Sequence, residues 1–564
     1  MGFEWVRIAR ALSAVVVSVS ALSAGAVPGN AYAAPGDFSV TPLWFDVATG
    51  PDGTHRCIVE GDLYRPSDAV ASTPVPAILG TNGFGMSKAD LVGTGAMLAA
   101  QGYAALMYSG LGFGASTCKV SLDNPEWDGR AAQQLVSFLG GATGIAYTDP
   151  ALKIPAAPID FVRTDQQSTS GQRLDHDPRV GMLGGSYGGA VQFAAAATDP
   201  RIDTIVPMIT WNDLSYSLSP DGAVGPAGRG TGGTGAIKST WATAFAAMGA
   251  LSPGVQGYLA EPSRALPCPN LADPVCPALS VSLTQGFAGD AEAEYLQSTS
   301  VADYIDRVRV PVLLAQAQHD TLFDLQEATA TYRGLKQRGV EVSMIWHYRG
   351  HGGDRIPGEL TEKAPNRETD YLVSRYMGWF DRHLKGAPIA AAPEFSWFRD
   401  WVAYDGNAEP AYAFAPSLDD AATLTDLPLT AGAQQLRSGP EATPEATATW
   451  TSEPLTADLA QVGAPQVALK VSGATAANAT EAAVLFMTVY DLAPDGTATA
   501  VGNTVPTRVS SDSTVQVTVP AAVHRFQPGH RVQVAVSGTA NGFRSGLVSR
   551  DVSVAVAALS LPVA

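Results

Sequence analysis

Residues 179–200 read RVGMLGGSYGGAVQFAAAATDP, and this stretch decides the fold. Five glycines lie within residues 181–190 around Ser186, although glycine lowers stability in the interior of a helix or strand. The apolar residues before the serine predict a strand, and the alanine-rich run after it predicts a helix. Within this setting GGSYG fits G-x-S-x-G, a sharp turn that exposes the serine hydroxyl at the carboxyl edge of a sheet. The alternative is a glycine-rich turn with a buried serine that serves packing alone.

The segments around this stretch alternate between predicted strands and predicted helices. Residues 75–85, VPAILGTNGFG, and residues 103–114, YAALMYSGLGFG, are apolar strands that end in glycine loops. Strands separated by helices of this size predict a parallel sheet with helices on both faces. We therefore expect an α/β core built from residues 34–210 and residues 301–390.

Three other zones have a different pattern. Residues 211–300 contain a long Gly/Pro loop and predict a helical cap inserted over the sheet. Residues 391–445 are rich in Ala, Pro and Thr and predict a linker. Residues 446–564 are rich in Val and Thr with regular turn signals, which predicts an all-β sandwich. We expect this sandwich to pack on the core and to form one wall of the site.

The composition limits the class of protein. The chain has 564 residues, of which 46 % are apolar and 16 % are charged, and its formal net charge is −18. This length is too great for one hydrophobic core, so several domains are expected. The acidic balance provides no basic face, so no nucleic-acid partner is expected.

The N-terminus has the pattern of an export signal. Arg7 and Arg10 precede an apolar run at Ala11–Ala24, and the small residues before Ala34 fit a cleavage site. The run is shorter than the roughly 20 residues that span a membrane, which disfavours the alternative of an anchor. We predict a signal peptide at residues 1–33 and a secreted protein without a stable membrane anchor.

An exported protein with an even, low number of cysteines is expected to form disulfides. The chain has four cysteines, and they allow three pairings. A short Pro-rich loop separates Cys268 from Cys276, so we pair these two locally and join Cys57 to Cys118. The histidines are scattered and no metal or cofactor site is expected.

A serine becomes a strong nucleophile only when a base takes its proton, and in this fold class an acid and then a histidine follow the serine along the chain. Asp320 ends a predicted strand at 308–320, and His351 comes directly after the next predicted strand. Both residues are therefore expected at the same sheet edge as Ser186, as a catalytic triad. The rivals Asp324, His319 and His347 are less suited, because they fall at a helix start, before the acid, or inside a strand.

Two backbone N–H groups are expected to bind the oxyanion that forms when Ser186 attacks a carbonyl. One belongs to Tyr187, at the start of the helix that follows the serine, where the helix dipole adds partial positive charge. The other belongs to Phe84, in the loop TNGFG after an early strand.

At these residues the chain resembles the family of cocaine esterases and X-Pro dipeptidyl-peptidases among the α/β-hydrolases. Ser186, Asp320 and His351 match its triad positions. The resemblance implies a helical cap between core strands and a jelly-roll-like C-terminal domain. Four motifs carry it: RVGMLGGSYGG (179–189), EWDG (126–129), YDLAPDG (490–496) and FQPGHRVQVAVSG (526–538).

One position departs from the family pattern, since members often carry a tyrosine hydroxyl for the oxyanion where this chain has Phe84. Within the family's range we favour a secreted ester or amide hydrolase for a small-molecule or peptide acyl substrate of middle size. A dipeptidyl-peptidase would need carboxylates for the substrate ammonium. The cap carries Asp213, Asp221, Glu261, Asp273 and several acids at 290–294, but no recognisable cluster. The remaining alternatives are a cell-envelope acyltransferase and an inactive surface-binding protein.

Overall fold

The computed structural model describes residues 38–225, 234–250, 268–353 and 355–564. The predicted signal peptide at 1–33 lies outside the described residues. The strands are of two groups, those of one large sheet and those of a C-terminal sandwich. The large sheet contains β1 (Phe38–Thr49), β2 (His55–Pro66), β3 (Ala77–Thr81), β4 (Ala104–Tyr108), β5 (Ala146–Tyr147), β6 (Val180–Gly185), β7 (Ile202–Met208), β8 (Val312–Ala317), β9 (Val342–His347), β10 (Phe395–Phe398) and β11 (Tyr412–Ala415).

The sandwich strands follow in the last third of the chain. They are β12 (Thr423–Asp426), β13 (Gln434–Ser438), β14 (Thr447–Thr451), β15 (Leu459–Gly463), β16 (Gln466–Ser472), β17 (Ala483–Leu492), β18 (Ala498–Val509), β19 (Ser513–Thr518), β20 (Ala522–Phe526), β21 (Arg531–Ser537) and β22 (Arg550–Val563).

The helices connect the strands of the large sheet and build the cap. They are α1 (Val92–Ala100), α2 (Arg130–Leu139), α3 (Tyr187–Ala196), α4 (Leu214–Leu218), α5 (Ser239–Ala250), α6 (Val275–Gln285), α7 (Asp290–Ser298), α8 (Val301–Tyr304), α9 (Leu325–Lys336) and α10 (Tyr371–Lys385).

The centre of the large sheet is parallel, in the spatial order β4-β3-β6-β7-β8-β9-β10. Antiparallel pairing adds β2, β1 and β5 at one edge and β11 at the other. Every residue of β3, β4 and β8 is buried, and successive side chains enter two different hydrophobic cores. One core contains α2, α3 and α9, and the other contains α1 and α10. The predicted parallel sheet with helices on both faces is therefore confirmed.

Helices α4 to α7 lie over the edge of the sheet where Ser186 is found. Their apolar residues form a separate core with Tyr187, directly after Ser186, and with Phe323, directly after the turn that follows β8. The disulfide Cys268–Cys276 ties the loop before α6 to the first turn of that helix. The disulfide Cys57–Cys118 joins β2 to the loop that follows β4. Both predicted pairings are present.

The C-terminal region is a sandwich of two antiparallel sheets, as predicted. One sheet has the order β19-β16-β22-β15-β20 with β12 and β13 also paired to β22, and the other has the order β14-β21-β17-β18. Their inward-facing residues share one core that includes Trp450 and Phe526.

The segment 391–445 was expected to be a linker, and the structure instead places four strands in it. β10 and β11 extend the large sheet, while β12 and β13 pair with the last strand of the sandwich. These strands have only four or five residues each, which is too short for their periodicity to stand out in a sequence rich in Ala, Pro and Thr.

Within the described part of the chain, no helix is long and apolar enough to cross a membrane.

Candidate active site

Ser186 lies in the sharp turn between β6 and α3. Its backbone has φ of 56° and ψ of −120°, a combination that residues with a side chain rarely adopt. Its N–H donates to the carbonyl oxygen of Met208 on β7 at 2.9 Å, and its own carbonyl oxygen accepts from the hydroxyl of Thr210 at 2.9 Å. These bonds to β7 and the loop after it hold the turn in its strained conformation.

Two of the neighbouring glycines are required by close backbone contacts. A Cβ at Gly184 would lie 2.5 Å from the carbonyl oxygen of Gly188. A Cβ at Gly188 would lie 2.3 Å from the carbonyl oxygen of Thr81, the last residue of β3. Real Cβ atoms do not approach other atoms this closely, so the strand, the turn and the helix can meet only if both positions lack a side chain.

The structure brings Ser186, His351 and Asp320 together in one hydrogen-bonded chain. Ser186 Oγ lies 3.0 Å from His351 Nε2, and His351 Nδ1 lies 2.8 Å from Asp320 Oδ2. Asp320 is fully buried, and its other carboxylate oxygen accepts from the backbone N–H groups of Leu322 and Phe323, each at 2.9 Å. The carboxylate is thus oriented toward the imidazole by its own turn.

The three rival residues lie in other surroundings. Asp324 caps α9, where its carboxylate accepts from the N–H of Gln326. His319 is exposed and bonds the carbonyl oxygen of Tyr348 at 2.6 Å. His347 is buried in β9, where burial lowers its pKa to about 3. The structure places none of the three within the chain of bonds to Ser186.

The loop 82–85 passes beside Ser186. A Cβ built on Gly83 would lie 3.9 Å from the Cβ of Ser186. The buried side chain of Asn82 fixes the loop, since its oxygen accepts from the N–H of Gly110 at 2.9 Å and its nitrogen donates to the carbonyl oxygen of Gly83 at 2.8 Å. The backbone of Gly83, which directly precedes Phe84, is therefore held next to the serine.

The side chain of Phe84 packs among aromatic rings. Its ring centroid lies 5.4 Å from that of Phe113, 6.0 Å from that of Tyr187 and 4.9 Å from that of Phe245 on α5. At this position, where members of the family that the sequence resembles often carry a tyrosine, the chain thus joins the cap to the core through apolar contacts.

A narrow pocket of about 40 Å³ opens beside Ser186. Its walls come from α3, the loops beside it and the cap helices. Apart from Ser186 and Tyr187, they are apolar: Phe84, Leu122, Trp211, Leu214, Leu218, Phe245, Leu271, Val275, Leu279, Leu296 and Phe323. Among the residues described, no charged side chain lines this pocket.

The described acidic residues of the cap do not line this pocket. Glu261 is outside the described residues. Asp273 is paired with Lys119, whose Nζ lies 2.7 Å from its carboxylate. Five acidic side chains line a second, larger cavity of about 750 Å³, namely Asp213, Asp221, Asp290, Glu292 and Glu294. The sequence did not indicate this grouping, because the residues come from segments about 70 positions apart that only the fold brings together.

Two buried aspartates lie behind the aromatic ring that follows the serine. The hydroxyl of Tyr187 accepts from the N–H of Asp123 at 3.2 Å and donates to Asp128 at 3.4 Å. Burial raises the pKa of Asp128 to about 7, and burial together with that neighbour raises the pKa of Asp123 well above its usual range. The carboxyl oxygens of Asp123 have no hydrogen-bond partner among the described residues. The protonated form of Asp123 is therefore favoured.

Three side chains that the sequence did not indicate donate hydrogen bonds to the turn that begins at Asp320. Asn503 of β18 donates from Nδ2 to the carbonyl oxygen of Asp320 at 2.8 Å. Lys238, just before α5, donates to the carbonyl oxygen of Leu322 at 2.8 Å. Trp241 of α5 donates to the hydroxyl of Thr321 at 3.3 Å, and its ring stands edge-on to His351. No local sequence signal identifies these residues, because each reaches the turn from a distant segment.

Two family models match the chain. The model of the X-Pro dipeptidyl-peptidase (S15) family matches residues 52–353, and the model of the X-Pro dipeptidyl-peptidase C-terminal non-catalytic domain matches residues 398–543. No curated protein sequence matches the chain significantly.

Solved structures share the fold over nearly the whole chain. A CocE/NonD family hydrolase from Staphylococcus aureus is 12 % identical, with a TM-score of 0.61, and the match covers 95 % of this chain and 99 % of that one. An aminopeptidase from a marine sediment Thaumarchaeota archaeon is 14 % identical, with a TM-score of 0.60 and coverage of 96 % and 99 %. An α-amino acid ester hydrolase is 16 % identical, with a TM-score of 0.58 and coverage of 96 % and 100 %.

Proposed function

The chain belongs to the X-Pro dipeptidyl-peptidase (S15) family of hydrolases, and from this premise we propose that it is a serine hydrolase that cleaves ester or amide bonds through an acyl-enzyme. The observation that carries the proposal is the bonded chain from Ser186 through His351 to the buried Asp320. A serine, a base within hydrogen-bond reach and an acid that orients the base are the parts that this chemistry needs.

The reaction follows from the two distances of the triad. His351 Nε2 takes the hydroxyl proton as Ser186 Oγ attacks the substrate carbonyl, and the same nitrogen then gives that proton to the leaving group. Asp320 accepts the Nδ1–H, so it favours the tautomer in which Nε2, the nitrogen that faces the serine, is unprotonated and can act as the base. Water, activated by His351, then attacks the acyl-enzyme and releases the acid.

The oxyanion is stabilised by the backbone in this proposal. Tyr187 is the first residue of α3, where N–H groups have no partner within the helix. Phe84 supplies the second N–H from the loop 82–85. Because phenylalanine has no hydroxyl group, the donor to the oxyanion at this position is the backbone N–H and not a side chain. Loss of one such donor raises the barrier by about 3 kcal/mol.

The pocket beside Ser186 supports a short, uncharged acyl group as the preferred substrate part. The pocket is small, about 40 Å³ against about 750 Å³ for the acid-lined cavity, so it has room for a short acyl group rather than for a long chain. The apolar lining stabilises methyl and methylene groups but leaves an ammonium without a partner. We therefore expect acetyl to butyryl esters to react faster than long-chain esters.

A second candidate is dipeptidyl-peptidase activity, which the family match itself favours. The two candidates differ in the charge next to the reacting carbonyl. Purified protein is tested with nitrophenyl acetate, butyrate and decanoate and with Xaa-Pro anilides. The ester proposal predicts the highest kcat/KM for acetate or butyrate, and a higher value for an Xaa-Pro anilide would replace it with the peptidase.

The test of the triad is Ser186→Ala. The variant is expected to lose about 10⁴-fold or more in kcat, because the nucleophile is absent. Ser374→Ala is the matched control, since this serine bonds the carbonyl of Tyr371 within α10, away from the site. Wild-type enzyme and the control are expected to be labelled by a serine-directed phosphonate, and Ser186→Ala is not. Turnover by folded Ser186→Ala at the wild-type rate would show that another group is the nucleophile.

Residues 211–300 act in this proposal as a cap that closes the acyl pocket, and the protein is exported with residues 1–33 removed. The first point is supported by the pocket walls that α4 to α7 provide. The second is supported by the basic and apolar pattern of the N-terminus and by two disulfides, which persist in oxidising compartments.

A further inference from the structure

The strand β18 carries an irregularity that breaks its pairing with β17. Met487 is opposite Val505 and Val489 is opposite Val501, so one residue of β17 faces three residues of β18, 502–504. Gly502 has φ of +76°, a conformation that favours glycine and is common where a strand bulges. The bulge releases the middle residue, Asn503, from the regular ladder.

The released side chain reaches the acid of the triad. Asn503 Nδ2 donates to the backbone carbonyl oxygen of Asp320 at 2.8 Å. Two and three residues further along, the N–H groups of Leu322 and Phe323 orient the Asp320 carboxylate. The position of the Asp320 peptide thus determines where the carboxylate meets His351.

The same strand anchors the sandwich to the cap. The guanidinium of Arg508 donates to the carbonyl oxygens of Thr234 and Gly235, which precede α5. The N–H of Gly222 donates to the carbonyl oxygen of Pro506 at 2.9 Å. Because these contacts hold β18 to Gly222 and to residues 234–235 of the cap, the sandwich presents Asn503 to Asp320 from a constrained position.

We infer that Asn503 is a positioning residue for the proposed triad, supplied by the C-terminal domain through the bulge of β18. It acts by holding the Asp320 peptide and does not touch the reacting atoms. The domain whose family model is described as non-catalytic therefore contributes to the rate of the reaction in this chain. This inference rests on the proposed function.

The test is Asn503→Ala in a full-length protein, assayed with nitrophenyl butyrate. We expect kcat to fall about threefold to tenfold, the rate equivalent of one hydrogen bond, with little change in KM. Asn503→Asp keeps the size but replaces the donor with an acceptor that faces a carbonyl oxygen, so a larger fall in kcat is expected. Asn478→Ala is the matched control, because this exposed asparagine of the same domain caps its own turn, and it is expected to keep the wild-type kcat.

A double-mutant cycle separates positioning from a general loss of structure. In an Asp320→Asn background the acid no longer works, so Asn503→Ala is expected to cause no further loss. An equal loss in both backgrounds, or a wild-type kcat in folded Asn503→Ala, would overturn the inference. Activity that survives in Ser186→Ala would instead overturn the proposed function, so the two failures are distinguishable.

Discussion

The replacement of Gly188 by alanine is expected to disable the site, although position 188 contacts no substrate. The new Cβ would lie 2.3 Å from the carbonyl oxygen of Thr81 and 3.2 Å from that of Asn82. Ordinary contacts begin at 3.4 Å, so the backbones of β3 and α3 must separate by about 1 Å. Because Thr81 leads directly into the loop 82–85, this shift moves the proposed oxyanion donor of Phe84 away from Ser186.

The size of the effect follows from that displacement. A misplacement of about 1 Å near the reacting atoms lowers the rate by about 100-fold, and overpacking of a closed interior costs about 1–3 kcal/mol of folding free energy. We therefore expect kcat for nitrophenyl butyrate to fall by about 100-fold in Gly188→Ala, with a lower melting temperature.

Gly185→Ala is the matched control on the other side of Ser186. A Cβ at position 185 meets Ile209 Cγ1 at 3.4 Å and no backbone atom closer than 3.7 Å, which are ordinary contacts. This variant is expected to keep kcat within about threefold of the wild type, because no element must move. Equal kcat in the two folded variants, whether both are high or both are low, would refute the argument from close contact.

Two further predictions concern the buried acid and the N-terminus. In the folded chain burial raises the pKa of Asp128 to about 7, whereas in the unfolded chain this group loses its proton near pH 4. Between these two pH values the folded state binds more protons, so the free energy of unfolding falls as the pH rises from about 4 to 7. Asp128→Asn is expected to remove up to about 4 kcal/mol of this fall, which urea unfolding at about pH 4 and pH 8 measures. If the variant showed the same pH dependence of unfolding as the wild type, Asp128 would not be the group responsible. The exported protein is expected to begin at Ala34, which N-terminal sequencing from the culture medium checks; a retained leader would count against cleavage.

The family and the fold could be predicted from the sequence because their signals are local. The turn at Ser186 requires glycine at positions 184 and 188, so its backbone geometry is visible as a cluster of glycines. Asp320 and His351 each follow a buried strand, and parallel strands place their carboxyl ends at one edge of the sheet. The three residues meet at 2.8–3.0 Å for that reason.

The parts that the sequence did not indicate depend on contacts between distant segments. Asn503 and Asp320 are separated by 183 positions, and the bulge that joins them arises from pairing between β17 and β18. The strands of residues 391–445 are too short to show a period, and they form only because the large sheet and the sandwich each offer an edge. The secondary structure of such short segments is determined by pairing with distant strands and not by the pattern of their own residues.

Tyr187 connects the two buried environments of the site. Its backbone N–H lies at the start of α3 beside the serine, its ring lines the pocket proposed for the acyl group, and its hydroxyl bonds the segment of Asp123 and Asp128. A substitution at Asp128 is therefore expected to act on Tyr187, the residue proposed to hold the oxyanion, through its hydroxyl. It should lower kcat more than it raises KM, since the oxyanion exists in the transition state and not in the bound substrate.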